Sequence, residues 1–248
     1  MKSLKYLNII NTINLLLASY ISQTTAFGGK TNKQVTEYIE SKGKICLFPK
    51  NKAFAIWGLI YFLLILFSVV SLFSFNNISN LVNSKVSAFY FLSTVFTIAW
   101  LILFARRYKG RKCFQSLAAM TGILFSLGKI YISLAPLLPI FTFWQKLCYF
   151  YPFSIYFGWI IIAFILNLSY CLREGRIVKK YSRLERLLYL FFQLSTIFIS
   201  ALIVLLFKDY SVPAVFCWAL YFIYQKSRNS ITFTLLISNL LLLATIIL

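Results

Sequence analysis

Residues 53–84 read AFAIWGLIYFLLILFSVVSLFSFNNISNLVNS, with no charged side chain between Lys52 and Lys85. A helix needs about 20 mainly apolar residues to cross the hydrocarbon of a bilayer, and this run is longer than that. Six further charge-free windows follow the same pattern: Tyr6–Gly29, Val86–Ala105, Leu147–Leu172, Leu187–Phe207, Tyr210–Gln225 and Asn229–Leu248. An eighth, Cys113–Gly128, reaches spanning length if Lys129 snorkels and the helix runs on to Leu134, where Ala135-Pro136 stops it. Tyr210–Gln225 is short and carries Pro213 in its first turn, where proline is tolerated. The expected fold is an all-α integral membrane protein of about eight transmembrane helices.

Composition agrees. The 248 residues are 60% hydrophobic and 12% charged, against roughly 45–50% and 25% for soluble domains. A soluble fold of this size leaves too much surface exposed to hide so much apolar material. Histidine is absent and Asp plus Glu number 5, which removes most groups used for proton transfer or metal binding. The cysteines (Cys46, Cys113, Cys148, Cys171, Cys217) show no CxxC spacing and read as packing residues. Glu37 and Glu40 sit in a lysine-rich polar loop, where solvation explains them. No Ser–His pair, metal cluster or phosphate-cradling glycine loop is present, so the chain is not expected to be an enzyme.

The net charge of +20 would suggest nucleic acid on a soluble protein. Here the basic residues flank apolar windows, so membrane anchoring is the better reading and no nucleic-acid partner is expected. Nineteen of the 25 Lys and Arg fall in the connections after windows one, three, five and seven. The other six are Lys2, Lys5, Lys85, Lys129, Lys146 and Lys208. The positive-inside bias puts the basic loops in the cytoplasm and both termini on the opposite side. The first window has a rival reading as a cleaved signal peptide, with Lys2 and Lys5 ahead of an apolar run. Asn8, Asn11 and Asn14 weaken its hydrophobicity in either role.

Three blocks carry a resemblance. The second window opens Ala53-Phe54-Ala55-Ile56-Trp57-Gly58-Leu59-Ile60-Tyr61, the third ends Phe96-Thr97-Ile98-Ala99-Trp100, and the fifth holds Pro152-Phe153-Ser154-Ile155-Tyr156-Phe157-Gly158-Trp159 with Ala163 and Leu166-Asn167. In this order they resemble the tryptophan-rich sensory protein family, relatives of the mitochondrial translocator protein. The likeness is to longer members with extra C-terminal helices, and Ala214–Leu220 looks like their penultimate span. The resemblance implies a five-helix translocator-like core over residues 1–175 and three additional transmembrane helices over 184–248. Thr97 stands where the family usually has Asn, and phenylalanine replaces many of its tryptophans.

At 100° per residue, Phe54, Trp57 and Tyr61 share one face of the second span, and Thr97 and Trp100 one face of the third. Tyr156 and Trp159 lie along the fifth, with Asn167 on its flank. Aromatic walls with a few hydroxyl or amide groups suit a flat apolar ligand. The resemblance implies a porphyrin-like or sterol-like molecule held among spans one, two, three and five. The protein would then be a membrane receptor, sensor or carrier whose partners are that small molecule and membrane lipids. Without histidine, a porphyrin would be held by stacking rather than by axial imidazole.

Asn167, deep in an apolar span, should face the bundle and find a partner. Ala118, Gly122 and Ser126 form a small-residue seam, which either packs within the monomer or joins a homodimer. Leu168–Arg173 satisfies a loose cholesterol pattern. A different class, a secondary transporter or permease for a small solute, fits the span count but lacks intramembrane acids and a clear inverted repeat. A third, an assembly factor, would use the basic loops to contact anionic lipid or a protein.

Overall fold

The computed structural model describes residues 2–25, 29–41, 48–74, 76–106, 108–179 and 182–244. Cys46 and the basic residues Lys42, Lys44, Arg107 and Lys180 lie outside the described residues, as does the side chain of Glu40. Among the described residues every regular element is helical. In chain order these are α1 (Lys2–Ile21), α2 (Asn32–Ser41), α3 (Ile56–Phe73), α4 (Asn77–Arg106), α5 (Cys113–Leu134), the single turn α6 (Phe143–Gln145), α7 (Tyr151–Glu174), α8 (Arg183–Phe207), α9 (Ser211–Ser227) and α10 (Ser230–Ala244). Helices α1, α3, α4, α5, α7, α8, α9 and α10 fall on the eight apolar windows.

Among the described residues, five helical stretches are long and apolar enough to cross a membrane: Asn51–Phe73, Asn77–Arg106, Gly110–Ile140, Phe143–Glu174 and Arg183–Phe207. The chain is an all-α, multi-pass membrane protein. α1 has the length, at 20 residues, but carries buried Asn8 and Asn11. α9 and α10 are shorter, at 17 and 15 residues.

Local chemistry sets the boundaries. α5 ends at Leu134 and continues as the 3-10 turn Ala135–Ile140, because Pro136 cannot supply an α-helical N–H. Pro152 sits in the first turn of α7, following a π-turn over Lys146–Phe150. One boundary differs from the sequence reading. The 53–84 run is not one span: α3 stops at Phe73, Ser74 is extended, and Asn76 caps the next helix by accepting from Ser79 N–H at 2.7 Å. α4 therefore takes up Asn77–Ser84 and exposed Lys85, and its 30 residues span about 45 Å.

The bundle presents apolar side chains outward to lipid, and its mainly apolar core also holds hydrogen-bonded polar side chains turned inward. Leu59, Phe62, Ile65, Val69 and Phe73 make an exposed stripe down α3. α8 exposes Leu187, Phe191, Leu194, Phe198, Leu202 and Leu205 and buries Gln193, Thr196 and Ser200. Two of those inward groups find partners on α10: Gln193 Nε2 donates to Thr232 at 2.8 Å and Ser200 Oγ to Asn239 Oδ1 at 2.6 Å, while Thr196 donates to the Gln193 carbonyl of its own helix. α1 uses its asparagine face the same way, with Asn8 Nδ2 donating to Asn83 of α4 at 2.7 Å. Thr12 meets Ser68 of α3 at 2.6 Å and Tyr90 of α4 at 2.7 Å.

Of the small-residue seam, Gly122 and Ser126 pack within the chain, while Ala118 is exposed. A Cβ on Gly122 would lie 2.5 Å from the Phe96 ring of α4, so only glycine admits that approach. Lys129 is exposed, with its ammonium 5.6 Å from the centre of the Phe125 ring. In the cholesterol-pattern stretch, Tyr170 is buried and donates to the Tyr108 carbonyl, while Arg173 lies 3.8 Å from Glu185. Both side chains are turned to protein partners.

Candidate functional site

A cavity of about 720 Å³ opens between α1, α3, α4 and α7, the four helices the sequence pattern brings together. Of the eight residues singled out by sequence, Phe54, Trp57, Tyr61, Thr97, Trp100, Trp159 and Asn167 line it. Tyr156 stands one layer behind. Its hydroxyl meets Thr97 Oγ1 at 2.9 Å and its ring packs edge-on against Trp57 at 5.8 Å. Tyr156 therefore orders the wall and is not itself part of the lining.

The wall is built from two sets of ring contacts. Trp57 stacks on Tyr61 at 5.5 Å and 27°, and meets Trp159 edge-on at 6.5 Å. Phe54 closes on Trp159 at 5.8 Å and 90°, and Trp100 stacks on Phe104 at 5.1 Å. Such contacts hold the rings in fixed orientations. Tyr61 is fixed further by a 2.6 Å hydrogen bond between its hydroxyl and Ser19 of α1.

The polar groups of the cavity divide sharply. The hydroxyls of Tyr61, Thr97 and Tyr170 are already bonded inside the protein. Three buried donors are not: Trp100 Nε1, Trp159 Nε1 and Asn167 Nδ2 have no hydrogen-bond partner. Asn167 spends its Oδ1 on Ser116 and Cys171, each at 3.4 Å, which turns its amino group to the unpartnered side. An indole N–H can only donate. A buried donor without an acceptor costs about 1–3 kcal/mol, and all three belong to side chains that line this one cavity.

Sequence reading missed the cover. α2 carries Lys33, Thr36, Glu37 and Ile39 onto the cavity's edge. Val35 and Ile39, one turn apart, are buried against the bundle. The helix start is a reciprocal cap in which Thr31 N–H donates to Gln34 Oε1 at 3.0 Å and Gln34 N–H to Thr31 Oγ1 at 3.2 Å. That Thr-x-x-Gln pattern followed by apolar residues four apart was a legible helix signal, hidden by the density of lysines around it. Gly29 docks this connection on α4, where a Cβ would fall 2.4 Å from the Ala105 carbonyl oxygen. Met120 adds a contact from α5, a helix outside the expected set.

Residues 5–248 match the family model of the TSPO-like proteins, so the match runs through the C-terminal helices as well as the aromatic blocks. No curated protein and no solved structure matches the chain significantly.

Proposed function

The chain belongs to the TSPO-like family, and from that premise we propose that its aromatic cavity binds a flat, hydrophobic small molecule, porphyrin-like or sterol-like, whose acceptor oxygens meet the cavity's N–H groups. The protein then acts as a membrane receptor, sensor or carrier for that molecule. The observation behind this reading is the trio of buried, unpartnered donors, Trp100 Nε1, Trp159 Nε1 and Asn167 Nδ2, set in a wall of stacked rings. Ring faces supply contact area, and the donors fix which end of the guest lies where. A porphyrin bearing carboxylates satisfies both demands.

Binding without catalysis is part of the proposal. The lining offers rings, hydroxyls and amides, and its ionised groups are Lys33 and Glu37 at the rim, 4.0 Å apart and largely exposed. The proposed orientation keeps the basic loops in the cytoplasm, so α2 covers the cavity from that side. The test is a protoporphyrin titration of the whole protein, read by tryptophan fluorescence, beside a Trp57→Ala/Trp100→Ala variant. Saturable quenching in the parent, weakened at least tenfold in the variant, supports the reading. Quenching that never saturates in the parent overturns it.

A further inference from the structure

A second recess, of about 760 Å³, lies on the other side of α3 and is built partly from the C-terminal helices. Its long wall is apolar, formed by Ile56 and Leu59 of α3, Ile155 of α7, and Val215 and Trp218 of α9. Leu59 is 48% exposed and Trp218 39%. The recess therefore opens sideways, towards the hydrocarbon in a chain that spans a membrane. Trp218 is held as a fixed wall because its Nε1 donates to the Ala53 carbonyl at 2.8 Å. One end differs in character: Lys146 and Lys208 border it, together with Asp209.

The acid beside them makes no ion pair with either lysine, and the three groups together carry one net positive charge. Asp209 is 2% exposed. Its Oδ2 accepts from Tyr131 at 3.0 Å and Ser154 at 2.6 Å, and its Oδ1 accepts from the Ser211 amide and hydroxyl at 2.8 and 2.7 Å. Four donors saturate the carboxylate, and among the described residues no ion pair joins it to either lysine. Two of the six lysines on the sparsely basic end of the bundle thus border one apolar recess. From Ser211 to Trp218 the wall descends about 10 Å, most of the depth of one leaflet's hydrocarbon.

The geometry points to a binding site for one anionic phospholipid of the surrounding bilayer, its phosphate between Lys146 and Lys208 and an acyl chain along the α3–α9 wall. The occupant is set by charge complementarity at the polar end and by the sideways opening along the rest. This site is separate from the aromatic cavity and stands or falls without it.

Native mass spectrometry of the full chain, released from micelles containing equal phosphatidylglycerol and phosphatidylcholine, tests the assignment. The parent retains phosphatidylglycerol in preference, and Lys146→Gln/Lys208→Gln lowers that preference by about fivefold for each lysine, the contribution of one basic residue near an anionic surface. A charge-matched control at the opposite end, Arg111→Gln/Lys112→Gln, leaves it unchanged, and the melting temperature of each variant reports that it is folded. Equal retention of the two lipids by the parent, or an equal loss in the control, overturns the proposal. Glycerol phosphate, a head without chains, should not compete; competition at matched concentration would make this a free-phosphate site and overturn the lipid assignment. Porphyrin binding should not change in the lysine variant.

Discussion

Replacing Trp159 by phenylalanine separates the two things the cavity offers a guest. The six-membered ring remains to meet Phe54, now 5.8 Å from the indole, so the apolar wall survives. What disappears is Nε1–H, which is buried and unpartnered. If a ligand carboxylate accepts from that group, the lost hydrogen bond to a charged partner is worth about 1.5–3 kcal/mol, or roughly 10- to 150-fold in Kd. The empty protein should scarcely notice. Losing ring area destabilises it, while removing an unsatisfied buried donor stabilises it by a similar amount. A net change within about 1 kcal/mol moves Tm by roughly 2–4 °C in a chain of this size. The assay is a titration followed by the visible absorbance of bound protoporphyrin, since the substitution also alters the protein's own fluorescence. Repeating it with the porphyrin dimethyl ester sharpens the reading, because a neutral acceptor shrinks the effect to about 0.5–1.5 kcal/mol. Unchanged Kd in both Trp159→Phe and Trp100→Phe would refute the reasoning: the guest would then be held by ring faces alone.

Ser200→Ala should leave Asn239 Oδ1 without its 2.6 Å donor between α8 and α10. A loss near the upper end of intramembrane hydrogen bonds, about 1.7 kcal/mol, is expected in detergent unfolding, and no loss would mean that this bond adds nothing to the joining of α8 and α10. Gly122→Ala places a Cβ 2.5 Å from the Phe96 ring and should cost about 1–3 kcal/mol by overpacking; the double variant with Phe96→Leu should recover most of it, and failure to recover would place the clash elsewhere. Ile39→Ala removes a buried anchor of α2 and should raise the ligand dissociation rate measured by stopped flow more than it lowers the association rate. Equal rates in variant and parent would mean that α2 does not cover the occupied cavity.

The sequence was most informative where lipid imposes a single rule. Charge-free windows located the helices α1, α3, α4, α5, α7, α8, α9 and α10, of which α3, α4, α5, α7 and α8 lie in the stretches long and apolar enough to cross a membrane. The stop of α5 at Leu134 followed from Pro136 alone. Charge-free windows do not mark the break inside 53–84, because Ser74, Asn76, Asn77 and Asn80 are polar but uncharged. The aromatic site was legible because its residues recur every three or four positions on α3, α4 and α7 and face inward together. Tyr156 shared that period yet lies a layer behind, a depth that periodicity does not encode. α2 stayed hidden because its apolar stripe is only Val35 and Ile39 within a basic loop. The second recess was invisible for a different reason: Lys146, Lys208, Leu59 and Trp218 are far apart in sequence and meet only through tertiary packing.

The central claim is that a guest satisfies the buried indole donors of the aromatic cavity. Indole N–H resonances of the ¹⁵N-tryptophan-labelled protein, followed during a protoporphyrin titration, test this most directly. The Trp100 and Trp159 signals should move downfield together and stop moving at one equivalent, while that of Trp144, 70% exposed, stays in place. Stationary Trp100 and Trp159 signals, with Trp144 shifting instead, would contradict it.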